Sequence, residues 1–256
     1  MRLREFIIKF LGLLVLCLAS ACQNSRSVNS TPNIILWAWE RPENLEFIDS
    51  NKIAVALLAQ TIELNGDKVE VKLRRQPLKV PPESKMIAVT RIETNKNGDK
   101  VALSDLQREE ILRLLLATLE LKNVSEIQLD FDVTVSEREF YRKLLQELRP
   151  KLPKNIVLSI TALASWCLSD NWIRSLPVDE AVPMAFDMGA DDKTIRDFLA
   201  TGEDWQEPLC RNSYGISINE PLKIKFKPNR KIYVFTSNPN GWKKSDLDRI
   251  NSIIAF

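Results

Sequence analysis

The chain contains no histidine, and this absence limits the chemistry it can perform. Without imidazole there is no serine–histidine triad, no histidine-ligated zinc and no histidine general base. Acid–base steps must therefore use Asp, Glu, Lys, Tyr or Cys side chains, and a nucleophilic cysteine would have no histidine to activate it. We predict no metal site and no cofactor.

A block of positive charge is also absent beyond the amino-terminal segment. The chain has 36 Lys and Arg residues against 34 Asp and Glu residues, a formal net charge of +2. Arg2, Arg4 and Lys9, partly offset by Glu5, account for this excess, so the remainder is near neutral. We therefore predict that nucleic acid is not a partner.

The amino-terminal segment is predicted to be an export signal, residues 1–21, rather than part of the fold. Its positive start precedes an apolar run, residues 10–18, that is too short to cross a bilayer. The run ends in Leu18-Ala19-Ser20-Ala21-Cys22, which resembles the lipobox of bacterial lipoproteins. We expect cleavage before Cys22 and lipid on its thiol. The alternatives are an ordinary secretory signal with a chance cysteine, or a true transmembrane anchor.

The residues after Cys22 indicate where the protein is held. Gln23, rather than Asp, follows the cysteine, and the resemblance to lipoprotein sorting signals implies the outer membrane, facing the periplasm. Residues 22–33 are rich in Ser and Asn and are predicted to form a flexible tether. Cys167 and Cys210 remain in the exported part, where oxidising conditions favour a disulfide between them.

Residues 34–256 are predicted to form one α/β domain, a (β/α)8 TIM-like barrel. Eight apolar runs of strand length recur, apolar on both faces as buried parallel strands are. They lie at residues 34–39, 53–58, 86–92, 126–132, 156–163, 181–186, 214–218 and 231–235. Helical patterns at residues 104–122, 136–148, 194–200 and 245–254 lie between or after them. The first two are predicted to begin with capping boxes, Ser104 with Gln107 and Ser136 with Glu139. Between the second and third strands, Asn65-Gly66 instead predicts an inserted β-hairpin.

Carboxylates and aromatic residues follow several of these strands, at the end where barrels of this class carry their sites. Sugars use both kinds of group, because aromatic faces pack on pyranose rings and carboxylates bind hydroxyls or act as acids and bases. The predicted catalytic residues are Glu40, Asp130, Asp132 and Asp187. The predicted substrate-binding residues are Trp39, Arg91, Trp166, Met184, Phe186, Tyr214, Glu220 and Trp242.

Structural roles compete with these assignments. Trp37 and Trp39 alternate on one strand, so either can be a core residue, and Trp166 can simply pack on the predicted disulfide. Glu40 and Arg41 can form a structural ion pair. Glu137 and Glu139 open a helix and are expected to be capping charges. Asp130 and Asp132 lie two apart on an apolar strand, so both face the same way, and burying two carboxylates is costly without a purpose.

Two strand ends resemble the family 18 glycoside hydrolases, the chitinase-like barrels. Asp130 and Asp132 match the second and third Asp of that family's fourth-strand motif, while Ile127 replaces the first Asp. Thr134 stands where the family has its acid Glu. Met184-Ala185-Phe186-Asp187 matches the sixth-strand motif with Phe for Tyr. The resemblance implies a barrel and a sugar substrate, but the family's substrate-assisted mechanism does not carry over without the Glu.

The whole domain is also similar to a group of bacterial lipoproteins, domain of unknown function family 3142. The likeness lies in Trp39-Glu40-Arg41-Pro42, Leu129-Asp130-Phe131-Asp132, Leu163-Ala164-Ser165-Trp166-Cys167 and Tyr214-Gly215-Ile216-Ser217. We therefore predict a membrane-tethered lipoprotein whose glycoside-hydrolase-like barrel binds or cleaves a polysaccharide, with Asp130 or Asp132 and Asp187 as the acid–base pair. The alternative is a non-catalytic carbohydrate-binding or scaffold lipoprotein of the cell envelope.

Overall fold

Eleven strands are present in residues 33–95 and 98–255, the part of the chain that the computed structural model describes. They are β1 (Ile34–Ala38), β2 (Glu43–Asn44), β3 (Ile53–Asn65), β4 (Lys68–Leu73), β5 (Leu78–Lys79), β6 (Met86–Thr94), β7 (Val124–Asp130), β8 (Val157–Leu163), β9 (Glu180–Met184), β10 (Ser213–Ser217) and β11 (Lys231–Phe235). Strands β1, β3 and β6 to β11 pair in parallel, and β1 pairs with both β3 and β11. The sheet therefore closes on itself, which confirms the predicted eight-stranded barrel.

Helices pack around part of this barrel. They are α1 (Asp105–Ala117), α2 (Arg138–Leu148), α3 (Ala164–Leu168), α4 (Asp192–Ala200) and α5 (Lys244–Ile254). Ser104 and Gln107 form the predicted capping box of α1. The predicted box at Ser136 is wrong: a 3-10 turn precedes α2, so Thr134 and Glu137 form the box instead. No helix of the described residues is long and apolar enough to cross a membrane.

The predicted hairpin is an extension of a barrel strand. Strand β3 runs for 13 residues, with a bulge between Leu58 and Gln60, and its second half pairs antiparallel with β4. The turn consists of Gly66 and Asp67, one residue later than predicted, and Gly66 takes the left-handed φ of +56° that such a turn requires. Because the hairpin replaces a helix, β3 carries side chains such as Glu63 beyond the barrel rim.

Side chains alternate between the barrel lumen and the helix-facing core. Ile127 and Leu129 on β7 point outward into the core under the helices, while Trp37, Val182 and Tyr233 pack together inside the barrel. The lumen is not wholly apolar, because Glu126 and Gln128 share the inward face of β7 with Asp130. Trp37 Nε1 donates to Gln128 Oε1 at 2.8 Å, so these two polar groups inside the barrel satisfy each other.

A buried charge cluster closes the amino-terminal end of the lumen. Lys231 Nζ lies 3.2 Å from Glu126 Oε2 and 3.1 Å from Glu180 Oε1. The Tyr233 hydroxyl lies 2.6 Å from Glu180 Oε1 and 2.9 Å from Glu126 Oε1. Burial, together with the negative charge of Glu126, raises the pKa of Glu180. The two carboxylates thus share the Lys231 ammonium group and the Tyr233 hydroxyl as donors.

Cys167 and Cys210 form the predicted disulfide, with Cα atoms 5.9 Å apart and 43 residues between them in sequence. Replacing both with alanine is expected to lower the free energy of unfolding by about 2–4 kcal/mol, because the unfolded chain loses its cross-link. Urea unfolding with and without reductant measures this. The double variant is the control, since reductant should leave it unchanged. Two free thiols in the unreduced, denatured wild type would contradict the bridge.

The predicted signal peptide, the lipidation site Cys22 and most of the predicted tether lie outside the described residues. The division of the chain into signal, tether and one barrel domain therefore stays a prediction.

Candidate functional site

Asp130 lies in the lumen at the carboxyl-terminal end of β7, and only 7% of its surface is exposed. Its Oδ1 accepts a hydrogen bond of 2.7 Å from Thr161 Oγ1, and its Oδ2 lies 4.0 Å from an Arg91 nitrogen. Burial raises the pKa of Asp130 to about 6; Thr161 and Arg91 oppose this, whereas the charge of nearby Asp132 adds to it. Asp130 is therefore a carboxyl group that can exchange a proton near neutral pH.

Three adjoining hollows of about 370, 400 and 200 Å³ lie at this mouth of the barrel, and all three are lined by Arg91 and Asp132. We call them together the mouth cleft. Seven predicted site residues line it: Trp39, Arg91, Asp130, Asp132, Met184, Phe186 and Asp187. Asp132 and Asp187 line the same hollow, as a shared acid–base site requires, although the roles of these residues stay predictions.

Aromatic rings form one wall of the mouth cleft. Phe186 stacks on Phe235 with ring centres 5.4 Å apart and planes 7° apart, and Trp39 meets Phe235 edge to face at 6.2 Å. All three residues are half-buried, so part of each ring faces the hollow. The Arg91 guanidinium lies 5.9 Å from the Trp39 ring centre. Such a wall presents an apolar surface on which the C–H face of a sugar ring can pack.

Asp187 occupies a left-handed backbone conformation, with φ of +49°. Asp and Asn tolerate this conformation better than other non-glycine residues do. Its backbone N–H donates to Glu220 Oε2 at 3.1 Å, and an Arg196 nitrogen lies 3.5 Å from the same oxygen. Glu220 thus holds the Asp187 loop from outside the cleft instead of lining it.

Glu40 does not reach the mouth cleft. Its side chain is exposed and accepts a hydrogen bond of 3.3 Å from the Arg75 backbone N–H. The alternative ion pair between Glu40 and Arg41 is also not found, because Arg41 Nε donates to Glu43 Oε1 at 2.8 Å. Glu43 is itself buried, and its other oxygen accepts from the Trp242 backbone N–H.

Three predicted binding residues are buried elsewhere, because each belongs to the helix-facing core. Trp166 packs edge to face on Trp172, with ring centres 4.9 Å apart. Tyr214 packs on Phe226. Trp242 donates from Nε1 to the Trp37 carbonyl at 2.9 Å. These three residues lie next to the site in sequence, but their side chains point away from the lumen. They were therefore wrongly assigned to the site.

Thr134 does not supply an acid at the position where family 18 enzymes carry Glu. Its hydroxyl donates to Glu137 Oε2 at 2.8 Å, and the same oxygen accepts from the Thr134 backbone N–H. Both side chains are therefore engaged in the capping box that precedes α2.

The predicted site residues do not include several that line the mouth cleft: Glu63, Glu93, Asn95, Thr161, Asp191 and Phe235. Phe235 was detectable, because it lies two residues after Tyr233 on a predicted strand and so shares its lumen-facing side. Glu63 was not, since its place depends on how far β3 continues beyond the barrel. Among the described residues, no group of three or more Asp, Glu or Cys side chains has the geometry to hold a metal ion.

No family model matches the chain, and no curated protein is detectably similar to it in sequence. Its fold is similar to that of a family GH18 chitinase from Chromobacterium violaceum, with a TM-score of 0.51 at 11% identity over 88% of this chain and 82% of the chitinase. At that identity the likeness supports a shared barrel fold and nothing finer.

Two further solved structures match less well. For the spore cortex-lytic enzyme SleL of Bacillus cereus, the TM-score is 0.49 at 16% identity over 74% of this chain and 52% of that chain. The chain thus spans about half of the enzyme's length. For the chitinase domain of the spore coat protein CotE from Clostridium difficile, the TM-score is 0.43 at 13% identity, over 83% of this chain and 67% of that chain.

Proposed function

We propose that this protein binds a polysaccharide in the mouth cleft. One observation carries the proposal: half-buried aromatic rings and several carboxylates line one cleft at the carboxyl-terminal mouth of a closed parallel barrel. Barrels of this class carry their sites at that mouth. Sugars have apolar C–H faces and polar hydroxyl edges, so Trp39 and Phe186 can pack against the ring while Asp132 and Asp187 accept from its hydroxyls. The chitinase fold supports this by analogy.

Trp39→Ala is expected to weaken oligosaccharide binding at least about tenfold, because truncating a central aromatic contact commonly costs more than 1 kcal/mol. Isothermal titration with soluble N-acetylglucosamine oligomers is the first measurement, since the similar structure is a chitinase. Trp172→Ala, which removes an equally large side chain outside the cleft, is the matched control. Equal affinity of Trp39→Ala and wild type would place the sugar elsewhere.

A second candidate function is hydrolysis of the bound polysaccharide, and the buried carboxyl of Asp130 favours it. A pKa of about 6 lets Asp130 donate a proton near neutral pH, and Asp132 and Asp187 line the same hollow. One of them would then act as nucleophile or base on the opposite side of the glycosidic bond. Product analysis by mass spectrometry after incubation with a bound oligosaccharide decides between binding alone and cleavage.

We also propose that the barrel is tethered to the outer membrane, facing the periplasm, through lipid on Cys22, and that the protein belongs with the lipoproteins of domain of unknown function family 3142. The support is the lipobox-like sequence at Leu18–Cys22 and the four stretches of likeness along the barrel. Tethering would hold the cleft near polysaccharides of the cell envelope.

Cys22→Ala is expected to leave the protein without lipid and to move it out of the membrane fraction, because the thiol that would carry the lipid is lost. Metabolic labelling with an alkyne-tagged fatty acid, followed by fractionation, measures both effects. Cys17→Ala is the control and should label like wild type. Undiminished labelling of Cys22→Ala would refute the assignment.

A further inference from the structure

We infer that β4, the outer strand of the hairpin, pairs with β4 of a second copy of this chain, so that the protein forms a two-fold symmetric dimer centred on Val71. This inference does not depend on sugar binding, because no residue of β4 lines the mouth cleft as the structure describes it. It follows from the open edge of β4, from the order of charges along the strand and from an apolar hollow beside it.

The outer edge of β4 is open. In the part of the chain that the structure describes, β4 is the last strand of its sheet and pairs only with β3. The Arg74 N–H donates to the Ala59 carbonyl at 2.9 Å, so the even-numbered residues of β4 bond to β3. The backbone groups of Val69, Val71 and Leu73 therefore point away from β3. They offer a further strand the N–H and C=O groups that it needs to pair.

The charges along β4 match those of a second copy of the same strand. In an antiparallel pair centred on Val71, Lys72 of each copy lies opposite Glu70 of the other. Opposite charges that face each other across strands stabilise the pair, whereas like charges destabilise it. A pair centred on Glu70 or on Lys72 would place like charges opposite each other, and one centred on Val69 would use only the half of the strand next to the turn. The charge order thus favours the register at Val71.

The ends of this register carry like charges, because Lys68 lies opposite Arg74. The Arg74 guanidinium is held by its own chain, since it donates to the Ala38 carbonyl at 3.2 Å and to the Arg41 carbonyl at 2.7 Å. Lys68 is exposed, so its ammonium group can turn into solvent. The central charge pairs therefore decide the register.

Within one copy, Glu70 faces another carboxylate. It lies opposite Glu63 in the hairpin, while Lys72 Nζ lies 2.7 Å from Glu63 Oε2. No ion pair found among the described residues includes Glu70. A second copy places its own Lys72 opposite Glu70, and this offsets the repulsion between Glu70 and Glu63.

An apolar hollow lies beside the same edge. Leu73 is 62% exposed and Val71 is 40% exposed. Leu73 lines a hollow of about 400 Å³ together with Leu114 and Leu121. Exposed apolar residues that adjoin an open strand edge are typical of a surface that another chain covers.

The two-fold arrangement brings an apolar residue to this hollow. Gln107 Nε2 donates to the Gly66 carbonyl at 3.2 Å and to the Lys68 carbonyl at 3.3 Å, so α1 begins at the turn end of the hairpin. Its residue Leu106 is 76% exposed. In an antiparallel pair, the turn end of one hairpin meets the barrel end of the other, where Leu73 and the hollow lie. Leu106 of each copy therefore approaches the hollow of the other, as a self-complementary interface requires.

Charge reversal tests the pairing, with the mass of the full chain measured by size-exclusion chromatography and light scattering over a range of concentrations. We expect a dimer of about twice the 29.3 kDa of the chain. Glu70→Lys and Lys72→Glu should each weaken it about tenfold or more, because each places like charges opposite at two symmetric positions. The two changes combined in one chain should restore the dimer. Asp248→Lys, on the exposed side of α5, is the matched control and should leave it unchanged.

A cysteine on the axis tests the register. Val71→Cys should form a disulfide with the same residue of the second copy, because directly opposite residues of an antiparallel pair lie within bridging distance. Leu73→Cys is the matched control: it is more exposed than Val71, but in this register it faces Val69 and not its own copy. Non-reducing gel electrophoresis after mild oxidation measures the cross-linked dimer, with wild type as the background from the native cysteines.

Three results would overturn the inference. The first is a wild-type chain that stays monomeric, which would leave the edge to a strand of another protein. The second is a dimer that both single reversals leave intact, or that the combined reversal, folded by circular dichroism, does not restore. The third is cross-linking of Leu73→Cys as efficient as that of Val71→Cys. None of these results would alter the case for sugar binding in the mouth cleft.

Discussion

Lys231→Met is expected to lower the free energy of unfolding by about 3–5 kcal/mol, the usual effect of leaving a buried charge without its partner. Lys231 lies between Glu126 and Glu180, whose side chains are 0% and 4% exposed. Burial alone would lower the pKa of Lys231, but the two carboxylates outweigh it and raise it. Without the ammonium group, negative charge in the lumen loses the partner that balances it. Urea unfolding at neutral pH measures the loss.

A double variant shows whether charge is the cause. Lys231→Met combined with Glu126→Gln removes both charges. The double variant should recover most of the lost stability, because the amide oxygen of the new side chain can still accept from Ser159 and Tyr233. A loss below about 1 kcal/mol at neutral pH would mean that water already solvates the cluster.

Asp130→Asn is expected to have opposite effects on catalysis and on stability. If the cleft hydrolyses its ligand, kcat should fall about 10²- to 10⁴-fold, the usual contribution of a general acid or base. Binding should survive, since asparagine keeps the shape and its Oδ1 can still accept from Thr161. Rates from product analysis measure the effect on catalysis, and titration with the same oligomer measures the effect on binding. The wild-type rate should decline above about pH 6 if Asp130 is the proton donor.

The stability of Asp130→Asn, by contrast, should exceed that of wild type at neutral pH. The pKa of Asp130 is raised in the folded protein to about 6, so its protonated form is favoured by folding. The stability that this group contributes is present below about pH 4 and is lost as the pH rises through about 6, a total on the order of 3 kcal/mol. Asp130→Asn carries no ionisable group there, so it should match wild type near pH 4 and exceed it in stability above about pH 7.

If the free energy of unfolding of Asp130→Asn changes with pH in parallel with that of wild type, the raised pKa of Asp130 is contradicted. A rate that is unchanged in this variant would remove Asp130 from the hydrolytic mechanism, whatever its effect on stability. Asp248→Asn is the control. Its side chain is exposed, so the substitution should change neither the rate of hydrolysis nor the pH dependence of stability.

The barrel was predictable because its signal is local. Each barrel strand is a short apolar run bounded by polar or helical segments, and eight such runs favour closure. The capping box at Ser104 and the hairpin glycine are equally local. The ends of elements were less predictable: α2 starts from Thr134, and β3 continues into the hairpin, because tertiary pairing with β4 and β6 decides where a strand stops.

The site was predictable only in part, because a barrel lumen is assembled from residues far apart in sequence. Alternation on the predicted strand indicated only that Asp130 and Asp132 face the same way, and the structure places Asp130 in the lumen. The same alternation applies to Glu126, whose partner Lys231 lies 105 residues away, and no local pattern indicates that pairing. Tyr214 is an error of another kind, a predicted site residue that does not face the lumen. It points outward while its neighbour Gly215 faces the lumen, where an added Cβ would lie 2.9 Å from the Pro183 carbonyl oxygen.

The indole N–H signals of the tryptophans test the central claim, that the mouth cleft binds a sugar, most directly. The chain has six tryptophans, of which Trp39 lies in the wall of the cleft, whereas Trp172 and Trp205 lie outside the lining. Nitrogen-15 spectra recorded during titration with oligosaccharide, with Trp39→Phe to assign the signal, report where the ligand binds. We expect a saturable shift of the Trp39 signal while those of Trp172 and Trp205 stay in place. Shifts confined to Trp172 or Trp205, or none for any glycan offered, would contradict the claim.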